Sequence, residues 1–184
     1  MILIFIFILA PALVIGCAAV EQIPDTAGSQ PHDTNGQDSV SDNDTDTSKE
    51  LPPEFLFQTG DITIRLGHKA SPIIEALGEP LNYFEAPSCA FEGIDRIYYF
   101  KGFELFTFPV NGEDFILSIN LTDDSVTTFE GIYLGMSLDR VVAAYGEDYT
   151  QNFGQYTYTR GDSTLSFLIE NSEVVVIIYN YTNV

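Results

Sequence analysis

Residues 155–181 read QYTYTRGDSTLSFLIENSEVVVIIYNY and contain three apolar or alternating segments separated by two turns. The segments are 155–160, 164–169 and 173–181, and the turns fall at Arg160-Gly161-Asp162 and Asn171-Ser172. Alternation with a period of two is typical of half-buried strands, and such short connections are typical of hairpins. Segments 96–101, 103–108 and 114–121 repeat this pattern around Lys101-Gly102 and Asn111-Gly112. We therefore predict two antiparallel meanders of three strands.

A short helix is predicted ahead of each meander. Ile64-Arg65-Leu66-Gly67 is followed eleven residues later by Gly78-Glu79, and Ile132-Tyr133-Leu134-Gly135 by Gly146-Glu147. Apolar residues between the glycines recur at helical spacing, while Ser71-Pro72 and Ser137 are typical helix starts. The predicted fold is α+β, with two tandem helix-plus-antiparallel-meander repeats at about 60–122 and 128–184. Its helices would pack on one face of the sheet.

The first 16 residues are almost wholly apolar and end at Cys17. The run is shorter than the roughly 20 residues that a spanning helix needs, and it has the length of a signal-peptide core. Val14-Ile15-Gly16-Cys17 resembles the bacterial lipobox, which implies cleavage after Gly16 and lipid on the Cys17 thiol. Residues 17–51, rich in Asp, Ser, Thr and Asn, predict a disordered acidic tether. Residues 52–184 have the composition of a globular domain.

The net charge is strongly negative. The chain carries 27 acidic and 7 basic residues, for a formal charge of −20. Such a surface repels phosphate backbones, which disfavours nucleic-acid binding and favours basic partners.

Residues 60–184 also resemble a known fold family. A short helix opened by a Leu-Gly-Met-Ser type sequence and closed by Tyr-Gly, followed by a meander, stands at 134–146 and onward. In tandem, this pattern resembles secreted proteins with the β-lactamase-inhibitor-protein-like fold. Small outer-membrane assembly lipoproteins of the BamE/SmpA type use a related single unit. The resemblance implies architecture rather than activity, and it implies a concave sheet face that binds a partner protein.

No constellation of residues points to catalysis. Cys89 and His68 have no third residue placed to orient a thiolate–imidazole pair, and two separated histidines, His32 and His68, do not make a zinc site. The acidic pairs Glu113-Asp114 and Asp123-Asp124 are typical of solvated turns. We therefore expect a protein that is not an enzyme and has no cofactor or metal.

Aromatic residues are concentrated in the predicted strands. The chain has 10 Tyr, 14 Phe and no Trp. Rings fall on both faces of these strands, and a sheet covered on one side needs apolar residues on that side only. The predicted partner-binding residues are Tyr99, Phe103, Tyr156, Tyr158, Arg160 and Tyr179. The alternative is that these rings complete the core.

Together these patterns favour one function class. The chain is interpreted as a lipoprotein held to the cell membrane through Cys17, on the extracytoplasmic face, that recognises a protein or peptide, perhaps as an inhibitor does. The alternative is an envelope lipoprotein that binds a small molecule or a cation.

Overall fold

The structure is a computed structural model that describes residues 52–184. The strands and helices, in chain order, are β1 (Leu56–Thr59), β2 (Ile62–Arg65), α1 (Ser71–Leu77), β3 (Asn82–Pro87), β4 (Ile94–Phe100), β5 (Phe103–Val110), β6 (Glu113–Leu121), α2 (Leu138–Tyr145), β7 (Thr150–Asn152), β8 (Gln155–Arg160), β9 (Ser163–Glu170) and β10 (Glu173–Tyr181).

Eight of the strands form one antiparallel sheet. Their order across the sheet is β3-β4-β5-β6-β10-β9-β8-β7, and β1 and β2 form a separate hairpin. The sheet is continuous because β6 pairs with β10, which brings Leu121 opposite Ile177 and Ile119 opposite Tyr179. The two-residue turns between neighbouring strands have the left-handed backbone that suits tight hairpins. At Asn111 and Asn171, for example, φ is 53° and 52°.

The hydrophobic core lies on one face of this sheet. Residues directly opposite one another on neighbouring strands share a face. One such row runs from β5 to β8 through Leu105, Ile119, Tyr179, Leu165 and Tyr158, all at most 3% exposed. The β1–β2 hairpin packs on this row, with the Phe57 ring centroid 5.0 Å from that of Phe103 and 5.8 Å from that of Tyr179. The buried apolar residues of the described part all lie between Phe55 and Tyr179, so residues 52–184 contain a complete core.

The predicted α+β fold, with helix-plus-meander repeats and helices packed on one face of the sheet, is wrong. The described chain is mostly β, with about half of its residues in strands and helices of only seven and eight residues. Two helical turns present too few apolar side chains to cover a sheet. No residue of α1 is buried, and α2 buries only Val141. A β-hairpin that the sequence analysis did not identify supplies Phe57 and Ile64 to the core instead.

The positions of the individual predicted elements are confirmed. All six predicted strands and both short helices form, with ends that differ from the prediction by one or two residues. Ser137 is the residue before α2, whereas Ala70, rather than Ser71, precedes α1. Strands β1, β2, β3 and β7 were not predicted.

The predicted leader at 1–16, Cys17 and the tether at 17–51 lie outside the described residues. Within 52–184, neither helix has the length and apolar character that a membrane crossing requires.

Candidate functional site

The second face of the sheet carries an exposed aromatic patch, which we define as Phe84, Ile97, Tyr99 and Phe106. In the strand register, Phe84 lies opposite Ile97 and Ile97 opposite Phe106, while Tyr99 is two residues beyond Ile97 on the same face. None of the four belongs to the core cluster. The Phe84 side chain is 53% exposed and the other three are partly exposed. The patch therefore presents apolar surface to solvent on the face opposite the core.

The rest of this second face is more polar. Across β6, β8, β9 and β10 it carries mainly small or polar side chains, among them Ser118, Thr157, Thr159, Ser166 and Asn180. The hydroxyl oxygens of Thr157 and Ser166 lie 2.9 Å apart and form a hydrogen bond. Apolar character on this face is thus concentrated at the end of the sheet formed by β3, β4 and β5.

The six predicted partner-binding residues do not form one surface. Phe103, Tyr158 and Tyr179 are buried in the core, at 2%, 3% and 1% exposure, which matches the alternative that these rings complete the core. Tyr156 lies on the core side, opposite Phe167. Of the six, only Tyr99 lies on the second face.

Tyr156 and Arg160 make contacts within the domain. The Tyr156 ring is 5.0 Å from the Tyr149 ring. The Arg160 guanidinium lies 4.3 Å from the centroid of the Phe55 ring, and its Nη1 is 3.5 Å from a carboxylate oxygen of Glu130. Arg160 therefore closes the edge of the core rather than projecting freely from the hairpin tip.

The buried tyrosines make internal hydrogen bonds. The Tyr145 hydroxyl donates to Glu130 at 2.6 Å, and the Tyr158 hydroxyl donates to the carbonyl oxygen of Gly146 at 2.9 Å. Burial, with smaller contributions from Tyr149 and Tyr156, raises the pKa of Tyr158 to about 12. Burial likewise raises the pKa of Tyr145 and of Tyr179 above the ordinary range for tyrosine. These phenols stay protonated at neutral pH, so they serve as structural donors and not as bases.

A hollow of about 320 Å³ opens beside the aromatic patch. Its apolar walls come from Phe84, Ile97, Phe106 and Leu117. Asp95 also lines it, and the Asp95 Oδ1 atom is buried without a hydrogen-bond partner. A buried carboxylate oxygen without a donor is costly, so this atom marks the hollow as a place where a ligand could contribute a donor.

A larger hollow of about 810 Å³ lies near the end of the chain. It is lined by an aromatic cluster in which the Phe108 ring is 5.2 Å from Phe91, 6.0 Å from Phe115 and 6.1 Å from Tyr181. Its volume is within the range of small-molecule sites.

The acidic pairs of the sequence analysis have turn and surface roles. Asp123 accepts a hydrogen bond from the backbone N–H of Ser125 at 2.8 Å, and hydrogen bonds from Ser125 lower the pKa of Asp123. Glu113 pairs with Lys69 at 2.7 Å, and Asp114 with Arg96 at 2.7 Å. Between residues 52 and 184, no three His, Cys, Asp or Glu side chains come together as metal ligands would. His68 and Cys89 line different hollows.

Phe84, Asp95, Ile97 and Phe106 were not singled out from the sequence. The sequence analysis did place Ile97 and Tyr99 on one strand face, but it could not show that this face lies away from the core. Comparisons with protein-family models, curated proteins and solved structures found no match to this chain.

Proposed function

We propose that this protein is a membrane-anchored extracytoplasmic lipoprotein that recognises another protein through the aromatic patch, without catalysing a reaction. The observation that carries the proposal is the exposure of Phe84 and its neighbours on the face of the sheet opposite the core. Aromatic side chains are enriched at protein interfaces because a rigid ring buries much area at little entropic cost.

The patch has the setting of a recognition surface. It stands on paired strands, so its backbone is held in place before a partner arrives, which lowers the entropic cost of binding. Its outer strand β3 is at the edge of the sheet and is largely exposed. A partner can therefore approach from both the face and the edge.

Charge indicates the kind of partner. A formal charge of −20 attracts a basic protein and accelerates encounter at low ionic strength. The same charge opposes nucleic acid. A lipid on Cys17 and a flexible tether of about 30 residues would place the domain about 30 Å from the membrane, within reach of other envelope proteins.

A pull-down from envelope extract tests the proposal, with a fragment of residues 47–184 as bait. The double variant Phe84→Ala/Tyr99→Ala is expected to lose a partner that the unaltered fragment captures. That partner, purified and titrated against both fragments, should bind the variant at least tenfold more weakly, since two central aromatic contacts contribute about 2 kcal/mol or more.

Phe153→Ala is the matched control, because Phe153 is 99% exposed in the turn between β7 and β8, outside the patch. It should leave capture unchanged. Equal capture by the double variant, or equal loss with Phe153→Ala, would contradict recognition by the aromatic patch.

A further inference from the structure

The 320 Å³ hollow beside the aromatic patch combines apolar walls with one carboxylate that lacks a partner. Phe84, Ile97, Phe106 and Leu117 surround it, and Asp95 Oδ1 has no hydrogen-bond donor within reach. Asp95 alternates with Ile97 and Tyr99 along β4 and therefore shares the face of the patch. The hollow is thus continuous with the surface proposed above for recognition.

Arg96 also lines the hollow, but its charge is committed elsewhere. Its Nη1 lies 2.7 Å from both carboxylate oxygens of Asp114, and its Nε lies 3.5 Å from Glu85. No ion pair reaches Asp95 among the described residues. The hollow therefore retains an uncompensated negative charge, which a cation of suitable size would neutralise.

We propose that this hollow receives a lysine side chain of the partner protein, an inference that rests on the proposed function. The four methylene groups of lysine would lie along the phenyl and aliphatic walls, as long cationic side chains do at apolar surfaces. The ammonium, a compact charge with three donors, would bind the Asp95 carboxylate. The negative surface of the chain favours a basic partner for the same reason.

The carboxylate must turn slightly to meet the ammonium. Asp95 Oδ1 is almost wholly shielded from solvent, whereas the side chain as a whole is only partly buried. The terminal torsion of an aspartate is broad and two-fold, so rotation about the Cβ–Cγ bond can present either oxygen to the hollow at low cost.

Cys89 provides a reporter of occupancy. It lines the same hollow, its thiol is free and exposed, and it is the only cysteine in the fragment of residues 47–184. A molecule bound beside Asp95 will shield this thiol, so the rate at which iodoacetamide alkylates Cys89 measures binding in the hollow.

The first experiment uses n-butylammonium as a lysine mimic and n-butanol as its neutral counterpart. The amine is expected to slow alkylation of Cys89 at concentrations at least tenfold lower than the alcohol does, because only the amine makes a charge-assisted hydrogen bond. In Asp95→Asn this difference should disappear. Equal protection by the two probes, or protection by neither, overturns the proposal from the unaltered fragment alone, even if the variant folds poorly.

The second experiment uses the partner purified in the pull-down. Asp95→Asn should weaken its binding about tenfold or more, since a charged hydrogen bond is lost from the interface. If Phe84→Ala/Tyr99→Ala abolishes binding while Asp95→Asn leaves it unchanged, the lysine site is refuted and recognition by the patch stands. If no partner is lost on altering the patch, the proposed function itself fails, and the lysine proposal fails with it.

Discussion

Gly67 and Gly135 occupy equivalent places in the two sequence matches but have different surroundings. Both have positive φ, at 71° and 94°. A Cβ added at Gly67 would lie 2.5 Å from the Tyr181 ring, whereas one at Gly135 would meet nothing within 4 Å. The two glycines therefore separate backbone strain from steric conflict.

We expect Gly135→Ala to cost about 1 to 2 kcal/mol of unfolding free energy, the strain of a left-handed backbone. Gly67→Ala should cost about 1 to 3 kcal/mol more, because the Tyr181 ring must leave its stacked position on Phe108. Urea denaturation of the fragment of residues 47–184 measures both values. In a Tyr181→Ala background the extra cost should vanish, and its persistence would show that the conflict involves another group.

At the scale of elements, the β1–β2 hairpin has the largest unpredicted role. A two-stranded hairpin is at best marginally stable alone, so its order depends on packing against the large sheet. Phe57 is 1% exposed and contacts the rings of Phe103 and Tyr179. The neighbouring Gln58 is exposed.

Phe57→Ala is expected to lower the free energy of unfolding by about 3 to 5 kcal/mol, through lost burial and the cavity left between hairpin and sheet. Gln58→Ala on the same strand should change it by no more than about 0.5 kcal/mol. Chemical denaturation followed by far-UV circular dichroism gives both numbers. A loss below about 1 kcal/mol for Phe57→Ala would mean that the hairpin is not part of the cooperative core.

The sequence signals differed in strength from one element to the next. Strands β4, β5, β6, β8, β9 and β10 were predictable because the sheet buries one face and produces alternation. Edge strands lack that signal, since β3 has five exposed residues of six and β7 is exposed throughout. The hairpin had a usable signal, because Phe55 and Phe57 alternate before Gly60-Asp61, and Ile62, Ile64 and Leu66 alternate after it.

The candidate site was predicted in part only. Alternation places Ile97 and Tyr99 together, and likewise Tyr156 and Tyr158, but it cannot show which face the rest of the chain covers. Tyr158 and Tyr179 are in the core because the hairpin packs on their side of the sheet. Asp95 and Phe106 come together with Phe84 through strand pairing, which a single strand pattern does not contain.

At the scale of the whole molecule, the strongest remaining prediction concerns the anchor. The lipobox-like sequence before Cys17 predicts a mature chain that begins at Cys17 and carries diacylglycerol on its sulfur. Expressed in a bacterial host with lipoprotein processing, the unaltered chain should enter the detergent phase, and mass spectrometry should show the lipid on Cys17.

Cys17→Ser should abolish the lipid, whereas Cys89→Ser, which alters the other cysteine of the chain, should leave it in place. One acyl-bearing group contributes about 0.8 kcal/mol for each buried methylene, which explains the expected change in partitioning. An unmodified Cys17 sulfur in the unaltered chain would refute the anchor and, with it, the proposed location.

The sequence by itself determined the strands whose burial alternates, the two short helices with their terminal glycines, the strongly negative charge and the lipobox-like motif at Cys17. These are local properties, written in the spacing of neighbouring residues. The tertiary structure decided that eight strands join into one sheet at β6 and β10, that a hairpin covers one face, and that the aromatic patch lies on the other. Those outcomes depend on contacts between residues far apart in the chain, where burial on one side of a sheet is gained only when a distant segment packs there.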